Sequence, residues 1–134
     1  MKSTIGHLCY FVSDMERSVK FYCDNLGFTK MFEQRFEGYD IHCVYLRVCK
    51  NQFIELFNSK KEIDNSKASF QHLCLHVDDI EAVHTELTGK GLVLTPVEMG
   101  LAKCIKCYLD DPDGNKIELM QLTAESLQTI HDHD

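Results

Sequence analysis

The chain has 134 residues, enough for one domain or for two small halves sharing a core. Its 44% hydrophobic and 26% charged content is that of an ordinary soluble globular protein. A formal charge of −7 argues against nucleic acid and anionic membrane surfaces as partners, because both are met by basic patches.

No apolar run nears the ~20 residues of a membrane helix, and the stretch Met1-Lys2-Ser3-Thr4-Ile5 has no apolar signal region, so a cytoplasmic protein is expected. Seven cysteines, an odd number, then read as reduced thiols. Cys104 and Cys107 have the spacing of a redox or zinc motif. They fall in a predicted strand, however, where alternation sends the two sulfurs to opposite faces and prevents joint chelation.

In chain order, residues 5–12 read as a buried strand. Ser13 and Glu16 form a capping box for a helix whose apolar stripe is Met15, Val19, Tyr22 and Leu26, closed by Gly27. Strands follow at 28–36, 42–48 and 52–57, with turns at Glu37-Gly38 and Lys50-Asn51. Residues 58–69 are polar and form a linker. The order then repeats: a strand at 70–77, a capping box at Asp78 to Glu81, a helix directing Ile80, Val83 and Leu87 inward, and strands at 92–97, 103–109 and 116–122. The turn Asp110-Asp111-Pro112-Asp113-Gly114-Asn115 predicts a hairpin before the last strand, and residues 123–132 a short fraying helix.

The repetition extends to single residues. His7-Leu8-Cys9 recurs as His72-Leu73-Cys74, and Val12, Asp14 and Glu16 recur as Val77, Asp79 and Glu81, all at an offset of 65. Val44-Tyr45-Leu46 matches Cys107-Tyr108-Leu109, and Ile54-Glu55-Leu56 matches Ile117-Glu118-Leu119, at an offset of 63. Each half is therefore expected to be β-α-β-β-β. Module 1 covers about 4–58 and module 2 about 69–134.

Alternation fixes what these strands present. His7, Cys9 and Phe11 share one face, as do His72, Cys74 and His76; Glu55 and Glu118 stand opposite the aliphatic positions of their own strands. If the aliphatic faces lie under the helices, the His and Glu faces point away and can converge on one cavity. Two carboxylates there would repel and resist burial, and a divalent cation resolves both problems. His7, Glu55, His72 and Glu118 are thus candidate metal ligands, with a donor set suited to Ni, Co, Zn, Fe or Mn. His76 carries no ligand role because Phe11 occupies its equivalent. His131 and His133 read as solvated, His42 as strand surface and His84 as helix surface.

With these residues in place, the chain resembles the vicinal oxygen chelate superfamily and, within it, glyoxalase I (lactoylglutathione lyase). The resemblance rests on Gly6-His7, the stretch from Asp14 to Gly27-Phe28, Phe53-Ile54-Glu55-Leu56, Gln71-His72-Leu73, and Asp111-Pro112-Asp113-Gly114-Asn115-Lys116-Ile117-Glu118-Leu119. It implies an α+β fold in which two tandem βαβββ modules form a metal-lined cup within one domain, and a homodimer whose sites are shared between subunits. It implies a metal-dependent lyase or isomerase holding Ni, Zn or Co and converting a 2-oxoaldehyde–thiol hemithioacetal to a 2-hydroxyacyl thioester through a metal-bound enediolate, as in methylglyoxal detoxification. Glutathione or another thiol would be the co-substrate, and Glu118 the likelier base, with Glu55 able to share that role. Ring-cleaving and fosfomycin-resistance relatives lack the acid that stands here as Glu55. Typical bacterial glyoxalase I has an arginine four residues after the first histidine, where this chain has Phe11, so metal chemistry is better supported than glutathione itself. The alternatives are an acyl-CoA epimerase or another metalloenzyme of the superfamily, and a non-catalytic small-molecule-binding resistance protein.

Overall fold

The structure, a computed structural model, describes residues 3–132; His133 lies outside them. The chain divides into two compact units, Met1–Ser66 and Lys67–Asp134. Each is a four-stranded sheet covered by a helix, so the fold is α+β and built from two βαβββ modules.

In the first unit β1 (His7–Val12) runs parallel to β4 (Gln52–Asn58), which pairs antiparallel with β3 (Ile41–Cys49), and β3 pairs with β2 (Thr29–Phe36). The order β1-β4-β3-β2 puts the first and last strands side by side, as parallel neighbours joined by a long connection require. That connection starts with α1 (Met15–Lys20), continued by a π-helical turn at Phe21–Asn25. Gly27, at φ 72°, then closes the helix as expected, with Phe28 N–H donating to the Tyr22 carbonyl at 3.1 Å.

The second unit repeats this plan. β5 (Leu73–His76) is parallel to β8 (Lys116–Gln121), β8 pairs with β7 (Ile105–Asp110), and β7 with β6 (Glu98–Met99). The covering helix is α2 (Ile80–Gly89), and α3 (Leu127–His131) ends the described chain.

The aliphatic faces form the two cores. Val12, Val44, Leu46, Ile54 and Leu56 are buried in the first unit, Ile80, Leu87, Leu109, Ile117 and Leu119 in the second. Removing each such side chain from water contributes about 1.5–3 kcal/mol. Because strand side chains alternate, this burial forces the intervening residues of β1, β4 and β8 onto the other face of each sheet.

Three expectations are corrected. The helix caps lie at Asp14 and Asp79, one residue later than Ser13 and Asp78. Each has extended backbone, and its carboxylate accepts from the N–H three residues on, Arg17 at 2.9 Å and Ala82 at 3.0 Å. Residues 92–97 do not form a strand, and only Glu98–Met99 pairs with β7. There Thr95 N–H reaches the Tyr108 carbonyl, but Tyr108 N–H goes to the Thr95 hydroxyl, and Pro96 has no N–H to continue a ladder. His42 is half-buried beside Glu33 at 3.3 Å, since β2 lies across its strand.

Candidate metal centre

Strand register gathers each half's chemistry in one row. In the first sheet Cys9 lies opposite Glu55, and Tyr45 lies opposite Glu55 from the other side. In the second, Cys74 and Tyr108 flank Glu118 in the same way. His7 begins β1 and His72 immediately precedes β5, so each imidazole stands two residues before its cysteine and leans over the same row.

The predicted partners meet inside each module. His7 Nε2 is 3.3 Å from Glu55 Oε2, and His72 Nε2 is 2.8 Å from Glu118 Oε2. The carboxylates are the more enclosed members, with side-chain exposures of 16% for Glu55 and 7% for Glu118, against 43% and 36% for their histidines. Among the described residues no group of three or more His, Cys, Asp or Glu stands close enough to hold a metal ion. The fold thus supplies one imidazole–carboxylate pair per module.

Do these pairs suit a divalent ion? Donors each ~2.1 Å from one ion and at right angles to each other stand ~3 Å apart. The separations of 3.3 and 2.8 Å match that edge, and nitrogen with carboxylate oxygen suits a borderline or hard cation. The pairs fit the group.

Several groups around the carboxylates were not singled out in the sequence. Cys43 donates its thiol to Glu55 Oε1 at 3.3 Å, and Tyr45 Oη lies 3.3 Å from His7 Nδ1. In the second module Tyr108 Oη donates to Glu118 Oε1 at 3.1 Å, and Lys106 Nζ donates to Tyr108 Oη at 3.2 Å. The visible signal was a tyrosine at the same place in both repeats. Register was needed to set it beside the glutamate.

The thiols stay protonated. Burial, the hydrogen bond to Glu55 and that carboxylate's charge push Cys43 up to about 12. Burial and then the charge of Glu118 push Cys74 up to about 11, and burial followed by the charge of Glu55 raises Cys9. Beside these carboxylates a protonated thiol is a weak hydrogen-bond donor, as Cys43 is to Glu55. Cys104 precedes β7 and Cys107 lies within it; both are buried, and all seven cysteines are free.

The other histidines lie elsewhere. His84, on α2, has its Nε2 3.1 Å from the carbonyl of Thr95 in the segment that follows the helix. His76 and His131 border a surface depression with Leu122 and Gln128, away from the carboxylate row. Phe11 is exposed at the end of the His7 face, with its ring 6.4 Å from that of Phe57. No helix among the described residues is long and apolar enough to cross a membrane.

Comparison with known proteins agrees with this architecture. The chain is 28% identical over 128 residues to a probable lactoylglutathione lyase of Synechocystis sp., covering 89% of this chain and 95% of that one. It is 26% identical over 121 residues to the glutathione transferase FosA of Serratia marcescens, covering 89% and 81%. Among solved structures, a glyoxalase family protein from Enterococcus faecalis shares the fold, with a TM-score of 0.78 at 24% identity and coverage of 87% and 96%. Residues 4–119 match the glyoxalase/bleomycin resistance protein/dioxygenase superfamily, and the chain belongs to that superfamily.

Proposed function

We propose that this protein is a metal-dependent lyase of the glyoxalase I type, isomerising a 2-oxoaldehyde–thiol hemithioacetal to a 2-hydroxyacyl thioester. The observation that carries the reading is the duplicated pair, His7 with Glu55 and His72 with Glu118, each at the separation of neighbouring ligands. The two modules act as one domain, and the four residues together hold one divalent ion, Ni, Zn or Co. The pairs are shared between the subunits of a cytoplasmic homodimer.

When bound, such an ion supplies Lewis-acid polarisation of the substrate's adjacent oxygens. The chain's own residues handle the proton. A carboxylate, Glu118 in the first instance with Glu55 able to share the role, takes the carbon-bound proton and returns it to the neighbouring carbon. No redox partner is needed, because the proton leaves and returns within one substrate. Enclosure of Glu118 keeps competing water from its carboxylate.

The co-substrate is glutathione or another thiol; Phe11, standing where a glutathione-binding arginine is expected, favours another thiol. Membership of a superfamily whose name includes bleomycin resistance protein supports a second reading, a non-catalytic small-molecule-binding resistance protein. The intact Glu55 and Glu118 favour catalysis over it.

The test is metal analysis of untagged protein together with thioester formation from methylglyoxal and a panel of thiols. Stoichiometric metal in the wild type, and at least a tenfold loss of affinity in Glu55→Gln and Glu118→Gln, are expected. Unchanged metal content in both variants would remove the ligand assignment. Metal-loaded protein inert with every thiol would leave the binding reading. Deuterium exchange from solvent into acyl-CoA candidates would instead identify an epimerase.

A further inference from the structure

The two carboxylates are held differently, and the difference lies at one pair of positions. Cys43 and Lys106 are equivalents in the repeat, each two residues before the tyrosine of its module. In the first module the thiol reaches Glu55 directly while Tyr45 turns to His7. In the second the ammonium of Lys106 meets the hydroxyl of Tyr108, and that hydroxyl meets Glu118.

The direction of the second chain is forced by chemistry. An ammonium only donates, so the tyrosine oxygen accepts from Lys106. The single hydroxyl proton of Tyr108 is then free for Glu118 Oε1, at 3.1 Å. Lys106 is itself fixed: its nitrogen lies 5.1 Å from the Tyr108 ring centroid and 3.7 Å from Glu98 on β6. Oε1 of Glu118 is thereby engaged by the hydroxyl, and Oε2 is the atom beside His72.

We infer that Tyr108, oriented by Lys106, is a positioning residue that reserves one oxygen of Glu118, so that this carboxylate serves a cation through Oε2 alone. The inference rests on the reading of Glu118 as a metal donor and adds the group that sets its mode. A carboxylate with both oxygens free can close on an ion with two contacts, which uses up a position that substrate needs. With one lone pair of Oε1 engaged by a charge-assisted hydrogen bond, turning that oxygen onto an ion strains or weakens the bond, so contact through Oε2 is favoured. Glu55 Oε1 is met by the Cys43 thiol, a weak donor with no ammonium behind it, and so lacks a comparable restraint.

The experiment uses the full-length protein with Co2+ as the probe. Its affinity is measured by competition with a chelator, its coordination by the visible absorption spectrum, and folding by thermal unfolding without metal. Tyr108→Phe is expected to lower Co2+ affinity by about tenfold or more, as loss of an outer hydrogen bond to a ligand does, and to change the cobalt bands. Lys106→Met should weaken binding in the same direction, while Lys106→Arg, which keeps the donor, should stay within about twofold of wild type. A purely structural role for the tyrosine would move the unfolding temperature and leave the cobalt bands unchanged. Wild-type affinity and spectrum in both Tyr108→Phe and Lys106→Met would overturn the inference while leaving the metal reading in place. A wild-type protein that binds no Co2+ would overturn the metal reading, and this inference with it.

Discussion

The two modules share a topology and a row of histidine, glutamate and tyrosine yet differ in how firmly that row is built. In the first, His7 and Glu55 stand 3.3 Å apart, and the second carboxylate oxygen is met by a thiol, a weak donor. In the second, His72 and Glu118 stand 2.8 Å apart, and the second oxygen is met by a hydroxyl backed by an ammonium. Their surroundings differ too. The first sheet carries aromatic pairs on this side, Phe11 with Phe57 and Phe32 stacked on Tyr45, whereas the second carries Lys106 and Lys116 near Tyr108. A duplicated scaffold has kept its histidine–glutamate pairs and changed what holds them. The lesson is that backbone topology and the outer hydrogen bonds of a site are separable.

The comparison can be broken most forcefully at the cores. Leu56 and Leu119 are equivalents on the covered faces, at 0% and 2% exposure. Leu56→Ala and Leu119→Ala are each expected to cost about 3 kcal/mol in denaturant unfolding. A cost below about 1 kcal/mol in either would show that the two layers are not equivalent.

A smaller effect separates the modules at alkaline pH. Cys43 and Cys74 hold their protons to about 12 and about 11 when folded, against 9.0 for the unperturbed group. Between those values the folded chain binds more protons than the unfolded one, so stability falls as pH rises above 9. Cys43→Ala should flatten the slope from pH 9 towards 12 more than Cys74→Ala does, measured by urea unfolding across that range. Equal slopes in both variants would mean the two thiols share one environment. Native-state alkylation tests the same point, since both thiols should react far more slowly than in urea.

The smallest effect lies at the caps. Asp14→Ala and Asp79→Ala each remove a carboxylate that accepts from the first turn, and each should cost about 1 kcal/mol. Ser13→Ala and Asp78→Ala should cost less than half as much by the same thermal unfolding measurement. The reverse ranking would return the caps to where the capping-box pattern puts them.

Much of this protein was legible in its residues because the relevant signals are local. Alternation in β4 and β8 separated Glu55 and Glu118 from the aliphatic positions, and the repeat paired them with His7 and His72. The turn at 110–115 was readable as well: Asp111 accepts from the N–H groups of Asp113 and Asn115, and Gly114 takes a positive φ of 79°. What escaped depended on a second segment. Residues 92–97 have an apolar strand composition, but pairing depends on β7, where the Thr95 hydroxyl replaces a ladder bond and Pro96 lacks a donor.

The sequence by itself therefore determined the duplication, the α+β plan, and the two residue types that each half presents on its open face. Only tertiary structure decided the register that sets Tyr45 and Tyr108 against the glutamates, and the turn of Tyr45 to a histidine and of Tyr108 to a carboxylate. The physical reason is range. Periodicity sorts side chains between faces within one strand, but a hydrogen bond between strands is set by how two distant segments slide past each other.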